Sequence, residues 1–279
     1  MTQANVPPII IRDINTIAEV RRVEQLQQET WGGPELDVVP LSQLVAARES
    51  GGVLIGAFLE DRMVGFAYGF VGLERGKLVH HSHMLAVLPD FRSHNLGFRL
   101  KMAQRERVLG QGIELMSWTF DPLQSRNAYF NFNKLGVISD RYLIDFYGVS
   151  ASFLHRSGTD RLWVTWHLTS DRSNHAEASQ QTSLPPNAPL LVGISESGEP
   201  ETVRFDSLFD GDTALIQIPA DIGAIEKNTP EIASEWRRAT QSAFLAAIDA
   251  GFYVADFYRG TESMPKGGAY LLKRRQKAA

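Results

Sequence analysis

The sequence predicts an α/β fold in which a mixed, mainly antiparallel sheet is flanked by helices over residues 1–150, followed by a C-terminal α/β extension over 151–279. Three observations predict it. Strand-like runs at 53–59, 63–71 and 78–87 succeed one another, and the first two are joined by the polar turn Glu60-Asp61-Arg62 of a hairpin. Apolar residues at helical spacing precede and follow these runs. The third is the stretch from His80 to Lys101, HHSHMLAVLPDFRSHNLGFRLK, which passes from a strand through a polar loop into a helix.

Taken in order, PIIIR at 8–12 reads as a short buried strand. Thr16-x-x-Glu19 is a capping box, and Ile17, Val20, Val23 and Leu26 form the stripe of the helix it opens. Trp31-Gly32-Gly33-Pro34 ends that helix, and a second runs over 41–49 between Pro40 and Gly51-Gly52. After the two strands of the hairpin, Val79, His81, His83, Leu85 and Val87 alternate with Leu78, His80, Ser82, Met84 and Ala86, so a third strand shows two faces. Pro89 ends it, because proline has no N–H for the ladder. Leu96, Leu100 and Ala103 then fall at helical spacing, widened by Phe98, Met102 and Leu109, until Gly110 and Gly112. A strand at 113–120 is broken by Asp121-Pro122, a helix follows over 125–135, and a strand at 137–149 contains Tyr142 and Tyr147. Beyond residue 150 the predicted strands are 161–168, 190–194, 214–218, 252–258 and 269–274, with a polar linker at 170–189 and a helix over 232–250.

Composition narrows the function classes. At 279 residues with 43% apolar content the chain has ample material for a core. A formal net charge of -4 and the lack of a basic run argue against nucleic acid as the main partner. There is no cysteine, which excludes disulfides, thiolate metal sites and cysteine nucleophiles and fits a reducing compartment. No apolar run is long enough to span a bilayer and no signal-peptide pattern opens the chain, so a soluble cytoplasmic protein with no membrane partner is expected.

The loop after Pro89 carries chemistry. Arg92, Ser93, His94, Asn95 and Gly97 precede or open a helix, whose first amides lack intrahelical partners and sit at the positive end of its dipole. An anion placed there gains hydrogen bonds and favourable charge. Arg92 can fork onto phosphate oxygens, Asn95 tolerates a left-handed conformation and Gly97 admits close approach. A pyrophosphate fits this pattern. His80, His81 and His83 lie just before it, and an imidazole titrates near pH ~6.5, suited to taking a proton from an amine. The same histidines with His94 are also compatible with a metal site, or with polar groups at a sheet edge or dimer surface.

Leu85-x-Val87-x-Pro89-x-x-Arg92-x-x-Asn95-x-Gly97 resembles motif A of the GNAT superfamily of acyl-CoA-dependent N-acyltransferases, with Asn95 in place of the motif's first glycine. The order β-α-α-β-β-β-α-β is also that family's. The resemblance implies acetyl-CoA or another acyl-CoA as cosubstrate, with no metal. It places the pyrophosphate on Arg92, Ser93, His94, Asn95, Leu96, Gly97 and Phe98, and the pantetheine along Leu85, Ala86 and Val87. SRNAYFNFNKLG at 125–136 is similar to motif B, which makes Asn127 a pantetheine contact and puts Phe132 where a tyrosine acid often stands, with Tyr129 as substitute. His83 falls near the family's usual basic carboxylate and is the leading base, with His81 on the same face of a regular strand; a bulge would bring His80 or Ser82 round instead. Trp31 and Glu35 border the implied acceptor site. The long extension is similar to a bacterial subgroup for which N-acylation of amino acids by succinyl-CoA has been inferred, implying a small amine acceptor whose carboxylate could meet Arg126, Arg141 or the second lobe. That lobe could be a degenerate half-copy of the fold, but it lacks a second phosphate loop at 220–228, and the roles open to it are to buttress the first lobe, to cover the acceptor site or to pair subunits in a homodimer. The alternative reading is a non-catalytic acyl-CoA-binding or regulatory protein.

Overall fold

The computed structural model describes residues 8–32, 37–148, 158–170, 184–185, 188–203, 205, 211–259 and 267–275, except for the side chains of Ser93 and His94. By contact the described chain divides into two compact units, the first running through Trp118 and the second starting at Thr119. The sequence reading sets its boundary at residue 150 instead.

In the first unit β1 (Ile9–Asp13), β2 (Val53–Leu59), β3 (Arg62–Glu74) and β4 (Lys77–Val87) are antiparallel neighbours, and β5 (Leu115–Phe120) pairs with β4 in parallel. The β3 and β4 strands outrun the predicted hairpin partners, turning at Arg75 and Gly76, both with positive φ. The first strand departs from expectation: among the described residues it pairs only with β2, and Ile10 is 59% exposed. As an edge strand it has one packed face, so PIIIR is half-buried rather than buried.

Helix α1 (Ile17–Trp31) opens with the expected box: Thr16 accepts from Glu19 N, and the Glu19 carboxylate accepts from Thr16 N. It closes at Gly32, left-handed at φ 60. The second helix, α2 (Leu41–Glu49), packs beside α1. Both cover the sheet face that carries Phe66 and Tyr68: Trp31 meets Phe66 edge-to-face at 6.2 Å, and Gln43 hydrogen-bonds Tyr68. The opposite face is covered by α3 (Leu96–Gly110). Its buried residues are Leu96, Leu100, Lys101, Gln104 and Val108, so the inward stripe is rotated from the predicted one and includes a lysine and a glutamine.

One irregularity positions the site. Tyr68 pairs with Met84 but Phe70 pairs with His81, so Ser82 and His83 together oppose Gly69 and β4 is bulged there. A Cβ on residue 69 would stand 2.3 Å from His80 Nε2 and 2.6 Å from His81 O, which leaves glycine as the residue that admits the bulge. The bulge changes the phase of alternation. Before it His81 shares a face with Phe70; after it Ala86 shares that face with Phe66, and Leu85 turns toward α3.

The second unit begins with the end of β5. Residues 125–135 do not form the single helix expected: α4 (Ser125–Ala128) is one α-helical turn, and Tyr129–Lys134 winds as a wider π-helical turn. The strand predicted over 137–149 is only β6 (Ile138–Leu143). The chain then turns because Asp160 accepts from Asp145 N and Thr159 O accepts from Phe146 N, with Asp145 at φ 48 and Gly148 at φ 68. Tyr147 lies in this turn, outside the strand.

The remaining elements are β7 (Arg161–His167), β8 (Leu190–Ile194), β9 (Pro200–Thr202), β10 (Thr213–Pro219), α5 (Ile222–Asn228), α6 (Pro230–Asp249), β11 (Phe252–Arg259) and β12 (Gly267–Arg274). Sequence reasoning did not foresee β9 or α5. Strand order in this unit is β7-β6-β11-β12-β10-β8-β9. The core is aromatic: Phe244 stacks on Tyr142, and Tyr270 meets Phe132, Phe244 and Phe257 edge-on at 4.8 to 5.7 Å. The strand–helix–glycine–strand succession of β10 to β11 does not repeat the geometry of β4 to β5. The latter strands pair directly, whereas β12 lies between β10 and β11.

Candidate active site

The loop that links β4 to α3 is a 3₁₀ turn, Pro89–His94, started by Pro89 and closed by Phe91 N donating to Leu88 O. Asn95 follows in the left-handed region, φ 51 and ψ 24, and forms the N-cap of α3 without a side-chain hydrogen bond to the first turn. No acid occupies that turn. The first amides of α3, from Leu96 through Gly97 to Phe98, therefore keep the donor character that a helix start gives them. Arg92 is exposed and its Nε donates to Val87 O at 3.2 Å, which ties the guanidinium to the end of β4. Among the described residues a Cβ on residue 97 would meet only Leu85 Cδ2, at 3.7 Å. Ser93 and His94 belong to the turn, but their side chains lie outside the described residues, as does Glu35.

Pairing of β4 with β5 is confined to His80 with Met116 and His81 with Ser117. Past the bulge, Leu85, Ala86 and Val87 pair with β3 alone among the described residues, so the other edge of β4 is open to an extended ligand. The residues present fit a pyrophosphate carrying an extended amide-bearing arm: cationic side chain, uncapped helix start and open strand edge follow one another along the chain.

Two polar chains flank the bulge on opposite faces of the sheet. On the face of Phe70, the rings of His81 and His83 lie 6.1 Å apart, with Phe70 5.3 and 5.8 Å from them and Tyr68 6.0 Å from His83. The bulge therefore does not bring His80 or Ser82 round, and the predicted pair stays together. Ser117 Oγ is 3.2 Å from His81 Nδ1 and donates to Glu74 Oε1. Burial, helped by the neighbouring His83 and Lys101, lowers the His81 pKa to about 4, and loss of water among its ring neighbours lowers that of His83. Both imidazoles are neutral at pH 7.

On the α3 face, Lys101 is 3% exposed. Its Nζ donates to Ser82 Oγ at 2.7 Å and sits 3.6 Å above the Trp118 ring. Ser82 donates to Gln104 Oε1, and Gln104 Nε2 reaches His80 Nε2 at 3.2 Å. His80 Nδ1 is buried without a hydrogen-bond partner among the described residues. Burial lowers Lys101 to about 7 and, with Lys101 and His81 nearby, His80 to about 3.

Asn127 and Tyr129 belong to the second unit, Asn127 exposed on α4 and Tyr129 half-buried at the start of the π turn. The sequence comparison that treats Tyr129 and Phe132 as neighbours one turn apart assumes α-helical winding, which ends at Ala128. Phe132 is core, packed against Phe120 and Tyr270. Arg126 is exposed, and Arg141 lies over the Trp163 ring at 4.5 Å. Trp31, half-buried on Phe66, is a packing residue. Sequence reasoning missed Glu74, Ser117, Lys101 and Gln104. Each is polar and meets its partners through long-range packing, which leaves no periodic trace.

The first unit is thus an α/β domain with a strand–loop–helix passage and a histidine-bearing face beside an open strand edge. Residues 19–136 match the model of the acetyltransferase (GNAT) family. Among solved structures, the ribosomal-protein-S18-alanine N-acetyltransferase of Escherichia coli is similar at 13% identity and a TM-score of 0.48, over 58% of this chain and 96% of that one. An aminoglycoside 6'-acetyltransferase type Ii is similar at 18% identity and a TM-score of 0.46, over 58% and 98%. NAA60 of Arabidopsis thaliana, in complex with a bisubstrate analogue, is similar at 13% identity and a TM-score of 0.46, over 57% and 97%. No curated protein matches the sequence. Among the described residues no helix is long and apolar enough to cross a membrane, and no group of three or more His, Asp or Glu side chains is arranged to hold a metal ion.

Proposed function

We propose that the protein transfers an acetyl or other short acyl group from its coenzyme A thioester to the amine of a small molecule, with the amino group of an amino acid as the favoured acceptor. The observation that carries this reading is the succession, within one unit, of the histidine face, the open edge of β4 and the uncapped start of α3. Arg92 and the amides of Leu96, Gly97 and Phe98 hold the pyrophosphate, assisted by Ser93, His94 and Asn95 in the turn. Leu85, Ala86 and Val87 pair with the pantetheine amides.

In the reaction the amine nitrogen forms a bond to the acyl carbon, and the carbon–sulfur bond breaks with its electron pair on sulfur. A proton leaves the nitrogen in the process. His81 and His83, neutral at pH 7, are the groups that take it. Backbone amides beside the bulge stabilise the developing oxyanion without any particular side chain. Residues 1–150 are on this reading the acyl-CoA-binding part and 151–279 an extension serving the acceptor or a second subunit.

A second reading, an acyl-CoA sensor without turnover, draws on Phe132: the aromatic aligned with the family's acid is a buried hydrocarbon ring. Calorimetry with acetyl-CoA and succinyl-CoA, followed by thiol release with a panel of amino acids and small amines, separates the two. The transferase reading expects micromolar-range binding and thiol release that saturates with amine. Binding without release across the panel favours the sensor, and no binding of either thioester ends both.

A further inference from the structure

We propose that Glu74, acting through Ser117, makes His81 the proton acceptor of the acyl transfer by fixing its imidazole in the tautomer that carries hydrogen on Nδ1. This rests on the transferase reading above and specifies which histidine serves it.

The argument is one of donor counting. A serine hydroxyl has a single proton and an ionised carboxylate has none, so the 2.5 Å contact between Ser117 Oγ and Glu74 Oε1 takes the hydroxyl proton. The Ser117 oxygen can then only accept from His81, 3.2 Å away, and what it accepts is Nδ1–H. In a neutral imidazole this leaves the lone pair on Nε2, the form a base needs. Ser117 is fully buried, and Glu74 closes β3 while Ser117 lies on β5, so three adjacent strands fix one ring. His83 has a different setting: the contacts described for it are with the rings of Tyr68, Phe70 and His81.

The ionisable groups facing His81 are Glu74 from β3, His80 and His83 from its own strand, and Lys101 from α3. Of these, His83 and Lys101 add to burial in opposing protonation of His81. During transfer the amine proton passes to Nε2 while Nδ1–H stays in place. Glu74 receives no proton. When the thiolate departs, the Nε2 proton returns to sulfur or to water. Glu74 and Ser117 are positioning residues, and His81 is the catalytic one.

Long-range proton–nitrogen spectra of the full chain labelled at histidine, with His81 assigned by its absence in His81→Gln, read the tautomer directly at pH 7.5. Nδ1–H is expected in the native protein. Glu74→Leu releases the Ser117 hydroxyl to donate to Nδ1 and is expected to move the proton to Nε2; Ser117→Ala is expected to give a mixture. In turnover, both substitutions are expected to lower kcat on the order of 10–100-fold, as for loss of an oriented general base. KM for the thioester is expected to stay within about twofold, since uniform binding is untouched, and Ser117→Thr restores the rate. A native His81 carrying Nε2–H, or an unchanged tautomer in both variants, overturns the proposal. So does an unchanged kcat in both variants. A native protein with the Nδ1–H tautomer and no thiol release toward any amine would instead overturn the transferase reading, leaving the hydrogen-bond assignment standing.

Discussion

Each unit of this protein buries a cation on the sheet-facing side of a long helix, and the two are accommodated in opposite ways. Arg237 on α6 is 7% exposed and makes a bidentate pair with Asp121, at 2.6 and 3.0 Å. The carboxylate raises the guanidinium pKa, so its charge is fixed at every accessible pH. Lys101 on α3 is 3% exposed and meets a serine hydroxyl and an indole face. With no carboxylate bonded to it, burial prevails and the amine approaches neutrality near pH 7. The second unit therefore spends its buried charge on holding a helix in place, while the first keeps a titratable chain of polar groups directly beneath the bulge of β4.

The helix starts differ in a parallel way. Asn95-Leu96-Gly97 and Asp221-Ile222-Gly223 are similar tripeptides, yet Asp221 is extended, φ -140 and ψ 90, and caps α5 by accepting from Ala224 N at 3.1 Å. A carboxylate already occupies the position an anion would take. Asn95 is left-handed and bonds no first-turn amide through its side chain.

The largest effect is expected from breaking the fixed pair. Arg237→Met leaves Asp121 without its partner in a setting where its side chain is 12% exposed, and should cost about 3–5 kcal/mol of stability. Urea denaturation measures it, and a loss below about 1 kcal/mol would mean that the pair does not anchor α6. Lys101→Met should behave in the opposite sense. The folded pKa of about 7 lies below the ordinary 10.5, so between these values the unfolded chain binds more protons and stability rises with pH, by at most about 1.4 kcal/mol per unit. The variant should lose that slope and equal or exceed the native protein in stability at pH 6. A native stability that is flat from pH 7 to 10 would contradict the assignment. Smaller still is the exchange of helix-start residues. Asn95→Asp should weaken thioester binding about tenfold, some 1.4 kcal/mol, whereas Asp221→Asn should change stability by a few tenths of a kcal/mol, the two caps being near equivalents. Calorimetry and thermal melts check the two arms; equal affinity in Asn95→Asp would remove α3 as the anion site.

Local chemistry made much of this fold legible. The Thr16 capping box, the Gly32 and Gly112 stops, the Pro89 strand end and the left-handed Asn95 were all readable from residue type, because each acts within a few positions of itself. The inward stripe of α3 was not, since Lys101 and Gln104 are buried by each other's hydrogen bonds with Ser82 rather than by hydrophobicity. The π turn at 129–134 escaped for a related reason: its apolar residues look helical, and Phe132 packs against Tyr270, 138 residues later in the chain. Of the candidate site, the loop and the pairing of His81 with His83 were legible; Glu74 and Ser117, 43 residues apart, were not.

The doubled position opposite Gly69 also sets which length changes this chain can tolerate. Removing one residue at 82 or 83 would restore regular pairing with β3 and leave both flanks on their present faces, with His81 opposite Phe70 and Met84 opposite Tyr68, but would take away Ser82 or His83. Either the Ser82 link to Lys101 and Gln104 or the second imidazole would go, while His81 and the strand edge that follows kept their places. Insertions and deletions elsewhere in the hairpin, at the Arg75-Gly76 turn for example, leave that phase untouched.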